Sequence, residues 1–217
     1  MDEVVGKVFS IATDNQPVRG CTMSRAIHRG NNPVIYFSLA QNTDISAETF
    51  PYHKLILVAE GELEIYGFAA EKLILHEGDM ILTPVDSLVG MRTEKSAIYT
   101  EIEIGRNDKM NEAIQPGEIF KMADLLPYAE KRVLNMDIVH NDKMKFVIMA
   151  FDAGQGLSEH SAPGEAIIFA IDGEGLIGYE GKEHTIKAGE CFHFAKNGRH
   201  WVEAKTNFKM ALLLTLD

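Results

Sequence analysis

The chain is 217 residues long, 46% hydrophobic and 24% charged, with a formal net charge of −11. That is ample apolar material for a packed core in one large domain or two small ones. The acidic balance, without any Lys/Arg-rich block, argues against nucleic acid or an anionic membrane surface as a partner, and no apolar run approaches the ~18 residues of a membrane span.

The chain opens on MDEVVGKVFS, which is acidic and lacks the basic-then-apolar pattern of a signal peptide. With only two cysteines, Cys21 and Cys191, the composition fits a reducing cytoplasm, and two buried or inert thiols are expected in preference to a pairing. From there the pattern is that of strands: NPVIYFSLA, KLILVAEGELEIYG, GDMILTPV, AIYTEIEI, KFVIMAFD, AIIFAIDGEGLIGY, GECFHFA and FKMALLLTL, punctuated by Gly, Pro and Asn/Asp. AEG and DGE read as turns closing hairpins. Only MADLLPYAEKRV looks briefly helical, limited by Pro127. Several strands, AIIFAI above all, are apolar on both faces. One face is therefore expected to line a barrel and the other to pack on a second sheet or a sister domain.

The sequence repeats itself. ISAETFPYHKLILVAEGELEI lies over LSEHSAPGEAIIFAIDGEGLI at an offset of 112 positions, with Ser46 on Ser158, Pro51 on Pro163, Ile56 on Ile168 and Gly61 on Gly173. The register extends back to His28 over His140. Beyond Gly67 the offset falls to 111, placing Gly78 on Gly189 and Asp79 on Glu190. The leading segments GKVFSIA and GEIFKMA match loosely. We read two copies of one all-β unit, residues 1–108 and 109–217, joined through the polar stretch GRNDKMNEAIQPG.

The second copy resembles the cupin superfamily of jelly-roll barrels, and the whole chain resembles its two-domain form, the bicupin. The first motif of that family reads G-x5-H-x-H-x3/4-E-x6-G; Gly154, His160 and Gly173 fall on it. The second resembles G-D-x4-P-x4-H; Gly189, Glu190, Ala195 and His200 take those places. The resemblance implies two tandem jelly-roll barrels. It also implies that His160 and His200 converge on one site, where metal-bearing relatives hold an ion with three histidines and a glutamate. Here the second histidine position is Ala162 and the glutamate position is Ala166, with Glu165 one residue early and therefore aimed at the opposite strand face unless the Pro163-Gly164 turn rotates it. At most the set is His160, Glu165 and His200, a 2-His-1-carboxylate arrangement suited to iron, manganese, nickel or zinc. In the first copy Glu48, Phe50, Lys54 and Val89 stand at these places, so that half is read as structural or as binding by shape alone.

Ala162, Ala166, Ile168, Phe192 and Phe194 are expected to line an apolar pocket facing His160 and His200, the usual profile of a small-molecule site. Alternation puts His193 on the opposite side from Phe192 and Phe194, and Trp201 away from the lumen. His28 and His140 are read as structural, His76 and His184 as exposed loop residues. Three functions remain open on the residues alone, the plainest being a structural or interaction protein with no occupied pocket. Of the remaining two, one is a small-molecule binding module, with or without a divalent metal. The other is a metal-dependent oxygenase or isomerase using His160, Glu165 and His200. A monomer with its two copies paired, or a homodimer, fits each.

Overall fold

The structure is a computed structural model that describes residues 1–69 and 72–216. The strands of the first half are β1 (Val8–Phe9), β2 (Thr22–His28), β3 (Val34–Leu39), β4 (Thr43–Thr49), β5 (His53–Tyr66), β6 (Leu73–His76), β7 (Asp79–Leu82), β8 (Leu88–Thr93) and β9 (Ala97–Ile104). Short strands β10 (Lys109–Met110) and β11 (Ile119–Lys121) lead into the second half. There follow β12 (Val133–His140), β13 (Met144–Phe151), β14 (Gly156–Ser161), β15 (Glu165–Asp172) and β16 (Glu174–Tyr179). The chain ends through β17 (Lys182–Lys187), β18 (Cys191–Phe194), β19 (Arg199–Ala204) and β20 (Phe208–Thr215). Every strand pairing is antiparallel.

Both halves use one plan. In the first, strands run β11-β7-β5-β9-β3-β2 across one sheet, while β4, β8 and β6 continue from the far part of β5. In the second, the order is β1-β18-β15-β20-β13-β12, ending on β10, and β14-β19-β16-β17 forms the opposing sheet. The architecture is all-β, with curled jelly-roll sheets, as the strand pattern predicts. Each half also carries an edge strand contributed by the other's leading segment: Val8 and Phe9 pair with Phe192 and Cys191, and Ile119 to Lys121 pair with Ile81 to Asp79. These are the loosely matched segments GKVFSIA and GEIFKMA.

Three apolar clusters follow from the period-two alternation. On β15, Ala166, Ile168 and Ala170 face the lumen of the second half, with Ile177, Phe192, Phe194 and Val202. Ile167 and Phe169 on the same strand face the other way, into a cluster shared with Tyr36, Leu55, Met80, Ile98 and Ile102 of the first half. The first half has its own lumen cluster around Ile56, Val58, Ile81, Met91 and Tyr99. Strands apolar on both faces are therefore covered on both, one face by the lumen and one by the other half.

Two local readings are corrected. MADLLPYAEKRV forms only a 3-10 turn over Met122–Asp124, because Pro127 removes a backbone donor within one turn. A short helix, Ile11–Asp14, instead follows β1, with the Ser10 hydroxyl accepting from the Thr13 N–H at its start. AEG and DGE do not close hairpins. They are corners where a strand leaves one sheet for the opposing one: β5 pairs with β9 up to Gly61 and with β6 and β8 beyond it. At the equivalent corner Gly173 separates β15 from β16. Gly61 has φ +86° and Gly173 φ +76°, and a Cβ would lie 2.1 Å from the Ser96 carbonyl oxygen at the first and 1.8 Å from that of Asn207 at the second. Only glycine fits either corner.

Candidate functional site

His160 and His200 come together from β14 and β19. A bulge in β14 sets Leu157 opposite Val202 and His160 directly opposite His200, so two β14 residues answer one of β19. Such an extra residue re-aims the side chain that follows it. The two imidazole rings lie 4.3 Å apart at 57°. His200 is buried and stacks on Phe194, centroids 4.3 Å apart and planes 24° from parallel; His160 lies outward of it, exposed.

Each ring is tied back through Nδ1, His160 to the Ser158 carbonyl at 2.8 Å and His200 to the Gly198 carbonyl at 2.9 Å. A carbonyl oxygen can only accept, so both Nδ1 atoms donate, and the tautomer so fixed has its free lone pair at Nε2 in each ring. Burial pushes the His200 imidazole below its ordinary range; proximity of His160 adds to this and the bond to Gly198 opposes it. His200 is thereby held neutral.

The acid expected beside them is elsewhere. A Glu165 carboxylate oxygen pairs with the N-terminal ammonium of Met1, and the other lies 3.8 Å from His193 Nε2. His193 is fully buried, with Nδ1 at 2.8 Å from the Glu3 carbonyl oxygen, and its imidazole is pushed down by burial. Glu165 and His193 therefore share the strand face that looks toward the first half, opposite the lumen. Of the three residues proposed for a metal, His160 and His200 are adjacent and Glu165 is turned away. Among the described residues no group of three or more His, Cys, Asp and Glu side chains is placed to hold a metal ion.

Beneath the histidines the lumen is filled. Ala166, Ile168, Phe192 and Phe194 are each at most 1% exposed, while Ala162 is half-buried at the rim. Phe192 and Phe194 lie 4.9 Å apart, and Tyr179 sits 5.7 and 5.5 Å from them. The Tyr179 hydroxyl accepts from the Ala195 N–H at 3.3 Å, and the residue pairs across strands with His200. Alternation within LIGY, which sends Ile177 and Tyr179 inward together, is the signal that would have placed Tyr179 here. His184 is a further correction: it lies on β17, half-buried, its ring 5.0 Å from Phe192, because the strand extends through the expected loop. Trp201 packs over Gly178 on the outer side of its sheet, where a Cβ would lie 1.9 Å from the indole nitrogen.

Residues 147–216, β13 to β20 with both histidines, match the family model described as a cupin domain. The fold is the cupin fold. A cupin 2 conserved barrel domain protein from Leptotrichia buccalis superposes on 98% of this chain and 98% of its own length, with 25% sequence identity and a TM-score of 0.83. A salicylate 1,2-dioxygenase from Pseudaminobacter salicylatoxidans superposes on 84% of this chain and 70% of its own, with 12% identity and a TM-score of 0.60. A variant of that dioxygenase in complex with gentisate gives 12% identity, a TM-score of 0.61 and coverage of 84% and 68%. At such identity the dioxygenases share the cupin fold with this chain and nothing finer. No curated protein matches the sequence.

Proposed function

We propose that this cupin-fold chain is a binding module in which His160 and His200, at the rim of the C-terminal barrel (109–217), receive a small organic ligand. The N-terminal barrel (1–108) covers the outer face of its main sheet. The single observation carrying this reading is the pair of Nδ1 tethers, which leave two Nε2 lone pairs side by side at a partly open rim. A ligand able to donate two hydrogen bonds, such as a vicinal diol or a hydroxy acid, meets them. Because aromatic rings fill the lumen below, the ligand rests on Phe194, His200 and Ala162 and does not enter the barrel. A cytoplasmic setting and an acidic surface fit a soluble metabolite as the occupant.

A second reading, a metal-dependent oxygenase or isomerase, is supported by the same lone pairs, since imidazole Nε2 ligates iron, manganese, nickel or zinc. His160 and His200 would supply two ligands. Glu165 is engaged by Met1 and His193, so the donor set does not fit a site held by protein groups alone, and no step is derived through an ion.

Thermal-shift screening against diols, hydroxy acids and sugars, beside elemental analysis of protein purified without affinity metal, tests both readings. A binding ligand raises the melting temperature of the wild type by mass action, and the shift disappears in His160→Ala and His200→Ala. Near-stoichiometric metal lost in both variants selects the enzyme reading. Shifts retained in both variants, with metal content unaffected, overturn the site.

A further inference from the structure

The place in the first half equivalent to the lumen beneath the histidine pair is not an apolar plug. Lys54, at the position of Ala166, projects inward with Ile56 and Val58. Its ammonium lies 3.1 Å from a Glu101 carboxylate oxygen, both side chains 8% exposed. The same ammonium sits 3.9 Å over the Phe50 ring, and Phe50 holds the position of Ala162. β5 and β9 create this arrangement: Lys54 faces Glu103 and Ile56 faces Glu101 across the ladder, so Lys54 reaches Glu101 on the diagonal. The β14 bulge is repeated here, with β4 irregular between Ile45 and Glu48.

Two polar atoms on this part of β9 are unsatisfied. The second Glu101 carboxylate oxygen and the Tyr99 hydroxyl below it are buried and have no hydrogen-bond partner among the described residues. A buried ion pair is costly to maintain, and stranded acceptors add to that cost. Burial pushes the Glu101 carboxyl up, against the pull of the Lys54 ammonium, which favours a carboxyl able to hold a proton. Phe50 and Tyr52, rings 5.2 Å apart and each half-buried, stand at the rim.

We propose that Lys54 is a carbonyl-capturing lysine, paired with Glu101 as its acid and base, that forms an imine with a small uncharged aldehyde or ketone. Transfer of one proton from the ammonium to the carboxylate leaves a neutral amine beside a carboxylic acid. The amine nitrogen forms a bond to the carbonyl carbon while Glu101 protonates the carbonyl oxygen. Glu101 then takes a proton from the nitrogen and returns it to the hydroxyl. Water leaves, the C–O bond breaks, and a protonated imine remains opposite a carboxylate. The net change is carbonyl plus ammonium to iminium plus water, with charge conserved. The unsatisfied Glu101 oxygen is the group that holds the intermediate hydroxyl. Glu101 and Glu103 both act on the one Lys54 cation, so an anionic 2-oxo acid is disfavoured and a neutral carbonyl compound is the class that fits.

The test is reductive trapping of the intact chain with propanal and borohydride, followed by peptide mass mapping. Propylation of Lys54 is expected to run about a hundredfold faster than at exposed lysines such as Lys95 and Lys131, the gain a positioned acid-base partner supplies. Glu101→Gln, which keeps a hydrogen-bond acceptor but not the acid, slows Lys54 labelling toward the surface rate. Labelling of Lys54 in the wild type no faster than at surface lysines overturns the proposal without recourse to any variant. Equal labelling in a Glu101→Gln variant of unchanged melting temperature overturns the role of Glu101. Trapping of pyruvate in preference to propanal overturns the assigned ligand class.

Discussion

At the level of single residues, spacing names the two histidines that meet, and strand parity, against the metal pattern, describes Glu165. His160 and His200 lie far apart in sequence and meet because each falls on an inward position of its strand, while Glu165, one place from Ala166, falls outward. Lys54 was legible as a departure from the metal pattern, yet its partner Glu101 was not, because a diagonal contact between β5 and β9 depends on register that no local pattern specifies. The same holds for the tethering of both Nδ1 atoms to backbone carbonyls. The thiols make a direct check on burial. Cys21 is exposed, whereas Cys191 is enclosed between the halves and burial pushes its thiol up, out of the reactive range. Native protein treated with iodoacetamide is therefore expected to take one label per chain, at Cys21, and a second only on unfolding. Mass mapping that finds Cys191 modified in the native state contradicts the interior packing described here.

Among the elements, the two corners depend on a single glycine each. Gly61→Ala or Gly173→Ala forces an L side chain into a left-handed conformation against a carbonyl oxygen; each is expected to cost about 1–3 kcal/mol in a denaturant titration. A loss below a few tenths in both would mean the strands need no such corner. The turn chemistry of AEG and DGE was visible in the sequence. That it serves a change of sheet and not a hairpin was invisible, since both use a left-handed glycine. The borrowed strand β11 offers a pH test. Asp79 on β7 accepts the His76 N–H at 2.8 Å and lies 2.9 Å from the Lys121 ammonium of β11. Burial pushes its carboxyl up, but the bond from His76 and the ammonium outweigh this and hold it below the usual range. A depressed carboxyl stabilises the fold above the unfolded value of about 4 and loses that contribution as pH falls through the folded value. Asp79→Asn is accordingly expected to lower the melting temperature near neutral pH and to flatten its fall below pH ~4; parallel curves would dismiss the contact.

For the whole molecule, the strands that read as apolar on both faces are buried on both, one face in a lumen and the other against the other half. The reciprocal exchange of β1 and β11 was suggested only by the loose match of GKVFSIA with GEIFKMA, which carries no information about where those segments dock. The shared cluster holds Phe146, Ile148, Ile167 and Leu213 against Tyr36, Leu55, Ile98 and Ile102. Large aliphatic or aromatic side chains such as these are worth ~1.5–3 kcal/mol each when buried. Residues 109–217 expressed alone would expose this face and lose β1. They are expected to aggregate or to unfold without a cooperative transition, whereas the full chain melts as one unit. A soluble, cooperatively folding fragment would show that the interface is dispensable. Between the halves a cavity of about 210 Å³ remains, bordered by Leu57, Val58 and Glu77 on one side and Phe169, Ala170 and Cys191 on the other, with Ile11 and Met122 closing it.

The lending of edge strands has a result for how the molecule behaves in a crowded solution. A long, open β margin invites any neighbouring polypeptide to extend the ladder, the first step toward fibrillar growth. Here the margins beside β7 and β18 are taken up by segments of three and two residues, too brief to template further addition. Each half closes an edge of the other's sheet with a strand of its own, so a neighbouring molecule finds little free border there.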